Sequence, residues 1–168
     1  FTPLIEGEAA QMVHAADVLA GQAQTGARVV VYDWHGGWEG SGIAEKLAQE
    51  GAHVRLAVNA HCASANVQTY TRFEQVARLH KLGVETHPWL RLYGADGRTA
   101  YFIHTPSREP VVFEDVDTIV LSVPNHPVDE LAAAVKALGT DLHLIGDCLS
   151  PRTAEEAVYD GLIAGMAV

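Results

Sequence analysis

Cysteine is scarce in this chain: Cys62 and Cys148 are the two among 168 residues. They stand far apart and without CxxC spacing, which excludes a disulfide framework and suits a reducing compartment, so a cytoplasmic location is expected. Basic residues are also few. Lys and Arg number 11 against 21 Asp and Glu, a formal charge of −10, and no basic cluster exists that would neutralise a phosphate backbone. Nucleic acid is therefore not an expected partner. Long apolar runs are missing as well: Val29–Tyr32 and Thr118–Val123 fall far short of the roughly 20 residues that span a bilayer. No transmembrane helix and no membrane partner are expected. Phe1–Ala10 has neither the basic n-region nor the continuous apolar h-region of a signal peptide. Phe1 in place of methionine leads us to expect a piece cut from a longer protein. Internal repeats and low-complexity tracts are absent too.

What is present is a globular balance, 48% apolar and 19% charged, at a length that buries a sizeable core without staples. Apolar spacing after Pro3 is loosely helical, and Ala15–Ala20 ending at Gly21 reads as a short helix with a glycine stop. The β-branched run Arg28-Val-Val-Val-Tyr32 reads as a buried parallel strand. A glycine-rich stretch, Asp33–Gly42, follows; then come an amphipathic helix from Ile43 and a strand over His53–Val58, together one βαβ unit. Helical spacing of Tyr70, Phe73, Val76, Ala77 and Leu79 predicts a helix over Val67–Leu82, and Val84–Thr86 starts a third strand. Leu90–Tyr93, Arg98–His104 and Val111–Glu114 predict an antiparallel meander. Thr118–Val123 is a further buried strand, Val128–Leu138 a helix, and Leu142–Ile145 a last strand. A final helix begins with Ser150 as N-cap and Pro151 in its first turn. Alternation of strands and helices predicts an α/β fold: a Rossmann-like three-layer sandwich with a mostly parallel sheet and a small antiparallel meander.

Two stretches are candidates for chemistry. The first is the strand-to-helix junction Tyr32-Asp-Trp-His-Gly-Gly-Trp-Glu-Gly-Ser-Gly42. Glycines at such a junction let the backbone approach a pyrophosphate, while the free amides of the helix N-terminus supply donors. Gly36, Gly37 and Gly40 are the cofactor-binding candidates, Gly37 and Gly40 keeping the x-x spacing of the fingerprint's second half. His35 stands where the first glycine belongs, and Val58-Asn59-Ala60 offers neither the carboxylate that would hold ribose hydroxyls nor an arginine for a 2′-phosphate. Two readings remain: an altered nucleotide site, or a Rossmann-shaped scaffold whose loop has lost its ligand, with Trp34, Trp38 and Glu39 filling the place of a pyrophosphate. The second stretch is Leu144-Ile-Gly-Asp-Cys-Leu-Ser-Pro-Arg152. A strand ending in Gly146-Asp147 and feeding a capped helix presents a carboxylate and free amides to a cofactor, or else Asp147 merely turns the chain.

Nine histidines show no HExxH and no paired Cys/His set, so no metal site is expected. Gly40-Ser41-Gly42 lacks the flanking spacing of a nucleophile elbow. Glu155 and Glu156 are explained by the helix dipole. No catalytic residue is assigned.

The pattern Gly-Asp-x-x-x-Pro-Arg-x-x-x-x-Ala-x-x-x-Gly from Gly146 to Gly161 resembles the C-terminal end of the iron–sulfur flavoproteins that include trimethylamine dehydrogenase, histamine dehydrogenase and 2,4-dienoyl-CoA reductase. Upstream, Asp17-Val-Leu-Ala-Gly21, Gly26-Ala-Arg-Val-Val-Val31, Ile43-Ala-Glu-Lys-Leu-Ala48 and Gly51-Ala-His-Val54 are similar to the same family's entry into its smaller nucleotide-binding-like domain. The resemblance runs from about Asp17 to Val168. It implies residues 1–26 as a connector with a short helix, 27–140 as an NAD(P)-binding-like Rossmann domain, and 141–168 as the strand-helix tail of an FAD/ADP-binding domain, with Gly146 and Asp147 at that flavin or ADP site. The implied parent carries FMN in an upstream barrel, a 4Fe-4S cluster, and FAD or ADP, and is a homo-oligomer. Its barrel and FAD/ADP domain would be this chain's partners, and it would oxidise a small amine or, second, reduce an enoate or dienoyl thioester. In such a parent this portion supports electron transfer and carries no chemistry. The junction is closer to the amine dehydrogenases, in which this domain does not use nicotinamide. The alternatives are an NAD(P)H-binding domain of a dienoyl-CoA or enoate reductase, and a non-catalytic binding or assembly module.

Overall fold

The computed structural model describes residues 4–6 and 10–167. Contacts divide the chain into two compact units, Phe1–Val123 and Pro124–Val168. In the first unit the strands are β1 (Leu4–Glu6), β2 (Gln11–His14), β3 (Arg28–Asp33), β4 (His53–Val58), β5 (Glu85–His87), β6 (Leu90–Asp96), β7 (Thr99–His104), β8 (Pro110–Phe113) and β9 (Thr118–Ser122). Its helices are α1 (Ala15–Leu19), α2 (Trp38–Gln49) and α3 (Thr69–Lys81). The second unit holds α4 (Glu130–Ala137), a 3-10 turn over Gly146–Cys148 and α5 (Ala154–Ala167).

Five strands form a parallel sheet in the order β2-β9-β3-β4-β5, with β3 at its centre between β9 and β4. Central parallel strands are covered on both faces, and Arg28–Asp33 reads accordingly: five of its six residues are buried. Alternate side chains of β3 serve two cores. Val29 and Val31 join Ala15 and Val18 of α1, Ile43 and Leu47 of α2 and Leu79 of α3 on one face. Val30 and Tyr32 join Leu92, Phe102 and Phe113 on the other. Those last residues belong to a second sheet, β1-β6-β7-β8, in which β6, β7 and β8 form the expected antiparallel meander and β1 runs parallel to β6. The three layers are thus helices, parallel sheet and mostly antiparallel sheet. Among the described residues no helix is long and apolar enough to cross a membrane.

Four local expectations need correction. The loosely helical stretch after Pro3 contains strands: Gln11–His14 pairs in parallel with Thr118–Leu121, because a free edge of the parallel sheet outweighs weak periodicity over four residues. Helix α2 begins at Trp38, five residues before Ile43, and takes Gly40 and Gly42 into its first turns. Segment 142–145 is not a strand and has no ladder partner among the described residues; an isolated strand leaves its backbone groups unpaired. The cap of α5 is Thr153, not Ser150. Glu156 accepts the Thr153 amide N–H at 3.0 Å, the glutamate half of a capping box, and also accepts the Thr153 hydroxyl hydrogen. That hydroxyl contact chiefly holds the Glu156 carboxyl below its ordinary value. Helix α4 lies within the second unit.

Candidate functional site

Ligands of open parallel sheets bind outside the carboxyl ends of the strands. In the first unit that edge is built from the loops after β3, β4, β5 and β9. The chain turns out of β3 at Asp33, which is fully buried. Its Oδ1 accepts the amide N–H of His35 at 3.0 Å and of Gly36 at 2.9 Å. This is an Asx-type turn, in which a short carboxylate captures amides two and three residues on. Oδ2 has no hydrogen-bond partner and is also buried. Burial pushes the Asp33 carboxyl up from 3.8 to about 6, against the lowering effect of the two amides, and nearby Glu39 adds to the rise.

Two of the candidate glycines, Gly36 and Gly40, adjoin this carboxylate. Gly36 sits at φ 64, and a Cβ there would meet Ala65 Cβ at 3.2 Å and Ala60 Cβ at 3.3 Å. Gly37 is the N-cap of α2 and makes no side-chain cap bond. Gly40 lies in the first turn of α2, and a Cβ there would stand 2.5 Å from both Cβ and Cγ of Asp33. Its lack of a side chain admits the chain's own carboxylate to the helix. The expected place for a pyrophosphate is therefore next to a buried anion. Glu39, also in the first turn, accepts the hydroxyl hydrogen of Ser122 at the end of β9, at 2.6 Å. This second carboxylate tethers α2 to the neighbouring strand.

The rest of the edge is held by backbone and buried polar bonds. Asn66 donates its side-chain N–H to the His35 carbonyl at 2.6 Å, and its amide donates to the Gly36 carbonyl at 2.8 Å. Ser64, at φ 56, lies with its hydroxyl 2.8 Å from Ser41 Oγ and 2.8 Å from Gln75 Oε1. One hydroxyl donates once, so Ser64 gives its hydrogen to Gln75 and accepts that of Ser41. Trp89 adopts φ 62, a conformation bulky residues rarely enter. It is fixed there by its N–H donating to the Ala60 carbonyl at 3.0 Å and its carbonyl accepting the Thr105 N–H at 2.7 Å. Its ring centroid is 6.0 Å from that of His61.

Dinucleotide does not fit this arrangement. One carboxylate, Glu39, lies in the first turn of α2 and a second, Asp33, packs against Gly40 from the end of β3, where a phosphate would need positive potential. The loop amides of His35 and Gly36 already have an acceptor, and Asn59 follows β4 where a ribose-binding carboxylate would stand. The structure gathers Gly36, Gly37 and Gly40 at one edge. The participation of Asp33, Ser122 and Gln75 was not anticipated; the one sequence signal available was an aspartate at a strand end two and three residues ahead of loop amides.

Gly146 and Asp147 lie in the second unit. Gly146 takes φ 60, and its N–H donates to Asp160 Oδ2 at 3.2 Å. Arg152 pairs with the same Asp160 oxygen. Asp147 is exposed on the 3-10 turn. Among the described residues no group of three or more His, Cys, Asp or Glu is arranged to hold a metal ion.

The fold is a Rossmann-like α/β domain with an added, mostly antiparallel layer. Solved structures that share this fold include a dehydrogenase, an amine oxidase and a reductase. Histamine dehydrogenase from Rhizobium sp. 4-9 is similar at TM-score 0.83 and 21% identity, over 96% of this chain and 26% of that one. The 6-hydroxypseudooxynicotine amine oxidase from Pseudomonas geniculata N1 is similar at TM-score 0.80 and 24% identity, over 92% of this chain and 24% of its own. A 2-naphthoyl-CoA reductase follows at TM-score 0.73 and 22% identity, over 94% and 23%. The chain thus spans about a quarter of the length of each. No family model matches it, and no curated protein does.

Proposed function

We propose that this chain is a nucleotide-binding-like portion of a modular FMN and 4Fe-4S oxidoreductase of the amine dehydrogenase kind, supporting electron transfer as scaffold and interface without carrying the chemistry. The observation that carries this reading is the Asp33 carboxylate. It lies buried against Gly40 and is capped by the loop amides that an active dinucleotide fold turns toward phosphate. Fold similarity to two amine-oxidising flavoproteins supports the parent's class. The parent's substrate would be a small amine. FMN and the cluster would be held by an upstream barrel and its cysteines, since Cys62 and Cys148 are too few for four thiolate ligands. FAD or ADP would be held by a neighbouring domain to which 141–168 contributes Gly146 and Asp147. The parent would be a homo-oligomer in the cytoplasm.

Titration of the purified chain with NADH and NADPH tests the lost-site reading. No saturable binding at micromolar concentration is expected, and micromolar binding of either would overturn it. For the parent, purification of the protein encoded by the whole reading frame is expected to show bound flavin and iron by absorbance and metal analysis. A second reading, a nicotinamide-dependent thioester reductase, draws on the similarity to the naphthoyl-CoA reductase. The same NADH titration separates the two.

A further inference from the structure

The outer face of the four-stranded sheet, opposite the face that packs on β3, carries a feature the proposed function does not use. A cavity of about 450 Å³ opens there, lined by Tyr93, Asp96, Tyr101, Ile103, Arg108 and Pro110. Four observations converge on it. Between Leu92 and Gly94 the ladder of β6 and β7 shifts register, which leaves Tyr93 as a bulge residue and brings Gly94 opposite Tyr101. Bulges re-aim side chains and recur beside sites; here two tyrosines flank a position that has no side chain of its own. Both rings are exposed, at 55% for Tyr93 and 38% for Tyr101.

The second observation is Arg108. Arg28, Arg55, Arg72, Arg78, Arg98 and Arg152 each have a hydrogen-bond or ion-pair partner. Arg91 acts electrostatically on Tyr32. Among the described residues the Arg108 guanidinium has neither, in a chain with 21 acidic residues available to pair with it. Third, Arg108 is held at φ 66, outside the region arginine prefers. Its N–H donates to the His104 carbonyl at 2.8 Å within a turn closed by the His104 N–H to the Glu109 carbonyl at 2.9 Å. Strain of this kind persists where surrounding structure imposes it and clusters at binding sites. Fourth, Asp96 supplies an acceptor in the same cavity.

From these we infer that the cavity is a binding site for a small aromatic carboxylate bearing a hydrogen-bond donor on its ring. The tyrosines take the ring between apolar walls, the guanidinium takes the carboxylate by its two-pronged geometry, and Asp96 accepts from the ring substituent. Its volume lies in the lower part of the range for ligand pockets and suits one ring system, not a dinucleotide. A net charge of −10 favours a monoanion over a dianionic phosphate.

Calorimetric titration of the chain with 4-aminobenzoate tests this, with acetate and aniline as probes lacking ring or charge. Saturable binding is expected, about tenfold tighter than for either control, falling about tenfold in Arg108→Ala and less in Arg108→Lys. Tyr101→Ala is expected to weaken it as well, while circular dichroism of each variant stays that of the parent chain. Absence of saturable 4-aminobenzoate binding, or binding that Arg108→Ala leaves unchanged, would overturn the inference.

Discussion

The two units of this chain differ in what holds them. In the first, β3, β4 and β9 contribute Val30, Val31, Leu56 and Ile119 at or near zero exposure, between two packed layers. In the second, no described residue from Pro124 to Ala167 is buried, and Val128, Leu131, Val158 and Met166 are each more than 70% exposed. Composition does not separate them, for both are rich in apolar residues; layering does. An amphipathic helix gains stability from the surface it covers, and α4 and α5 cover none fully. The first unit holds its own cores, whereas the second would need a cover such as the proposed parent.

The strongest test of that contrast is a core truncation. Phe102→Ala, in the core between the sheets, is expected to cost about 3–5 kcal/mol in chemical denaturation. Leu131→Ala is expected to cost less than about 0.5 kcal/mol in the same assay. Equal losses would break the comparison. Next in size is the buried carboxyl. Because the folded state raises Asp33 from 3.8 to about 6, it binds protons more tightly than the unfolded chain. The contribution of Asp33 to stability is therefore greatest below pH 4, declines as pH rises to about 6, and then levels off, a loss of about 3 kcal/mol. Asp33→Asn is expected to flatten this decline when midpoints are compared at pH 4 and pH 7; an unchanged slope would remove Asp33 as its source. A smaller loss than either Phe102→Ala or the Asp33 decline is expected at the cap of α5 in the second unit. Thr153→Ala removes the cap of α5 and is expected to cost about 1 kcal/mol of helix stability, visible as reduced helical circular dichroism with the denaturation midpoint of the first unit unmoved.

The same division governs what was legible in advance. Strands β3 and β9 are runs rich in β-branched residues whose period and flanking turns leave one reading, β4 follows a glycine stop at Gly51, and the meander carries its own turn at Gly97. The spacing that places helix α3 does not mark its buried side. Tyr70 and Phe73 are 87% and 66% exposed, whereas Gln75 is 2% exposed. The reason is tertiary: Gln75 completes a buried hydrogen-bond chain with Ser64 and Ser41, which no helical periodicity encodes. At the candidate site, glycine spacing marked the position of Gly36, Gly37 and Gly40 but not the content of the loop. What fills it is Asp33, and the distinction between a glycine that admits phosphate and one that admits a carboxylate lies in three-dimensional approach alone. Leu142–Ile145 shows the opposite limit, a strand-like sequence without a neighbour to pair with.

The placement of Trp34, Trp38 and Trp89 has an optical consequence. These are the three tryptophans of the chain, and all stand in or beside the loops at the carboxyl edge of the parallel sheet. Tryptophan emission from this protein is a local signal from that edge, and the segment after Val123 contributes nothing to it. Melting followed by fluorescence will therefore report one transition even where circular dichroism, fed by α4 and α5, records two.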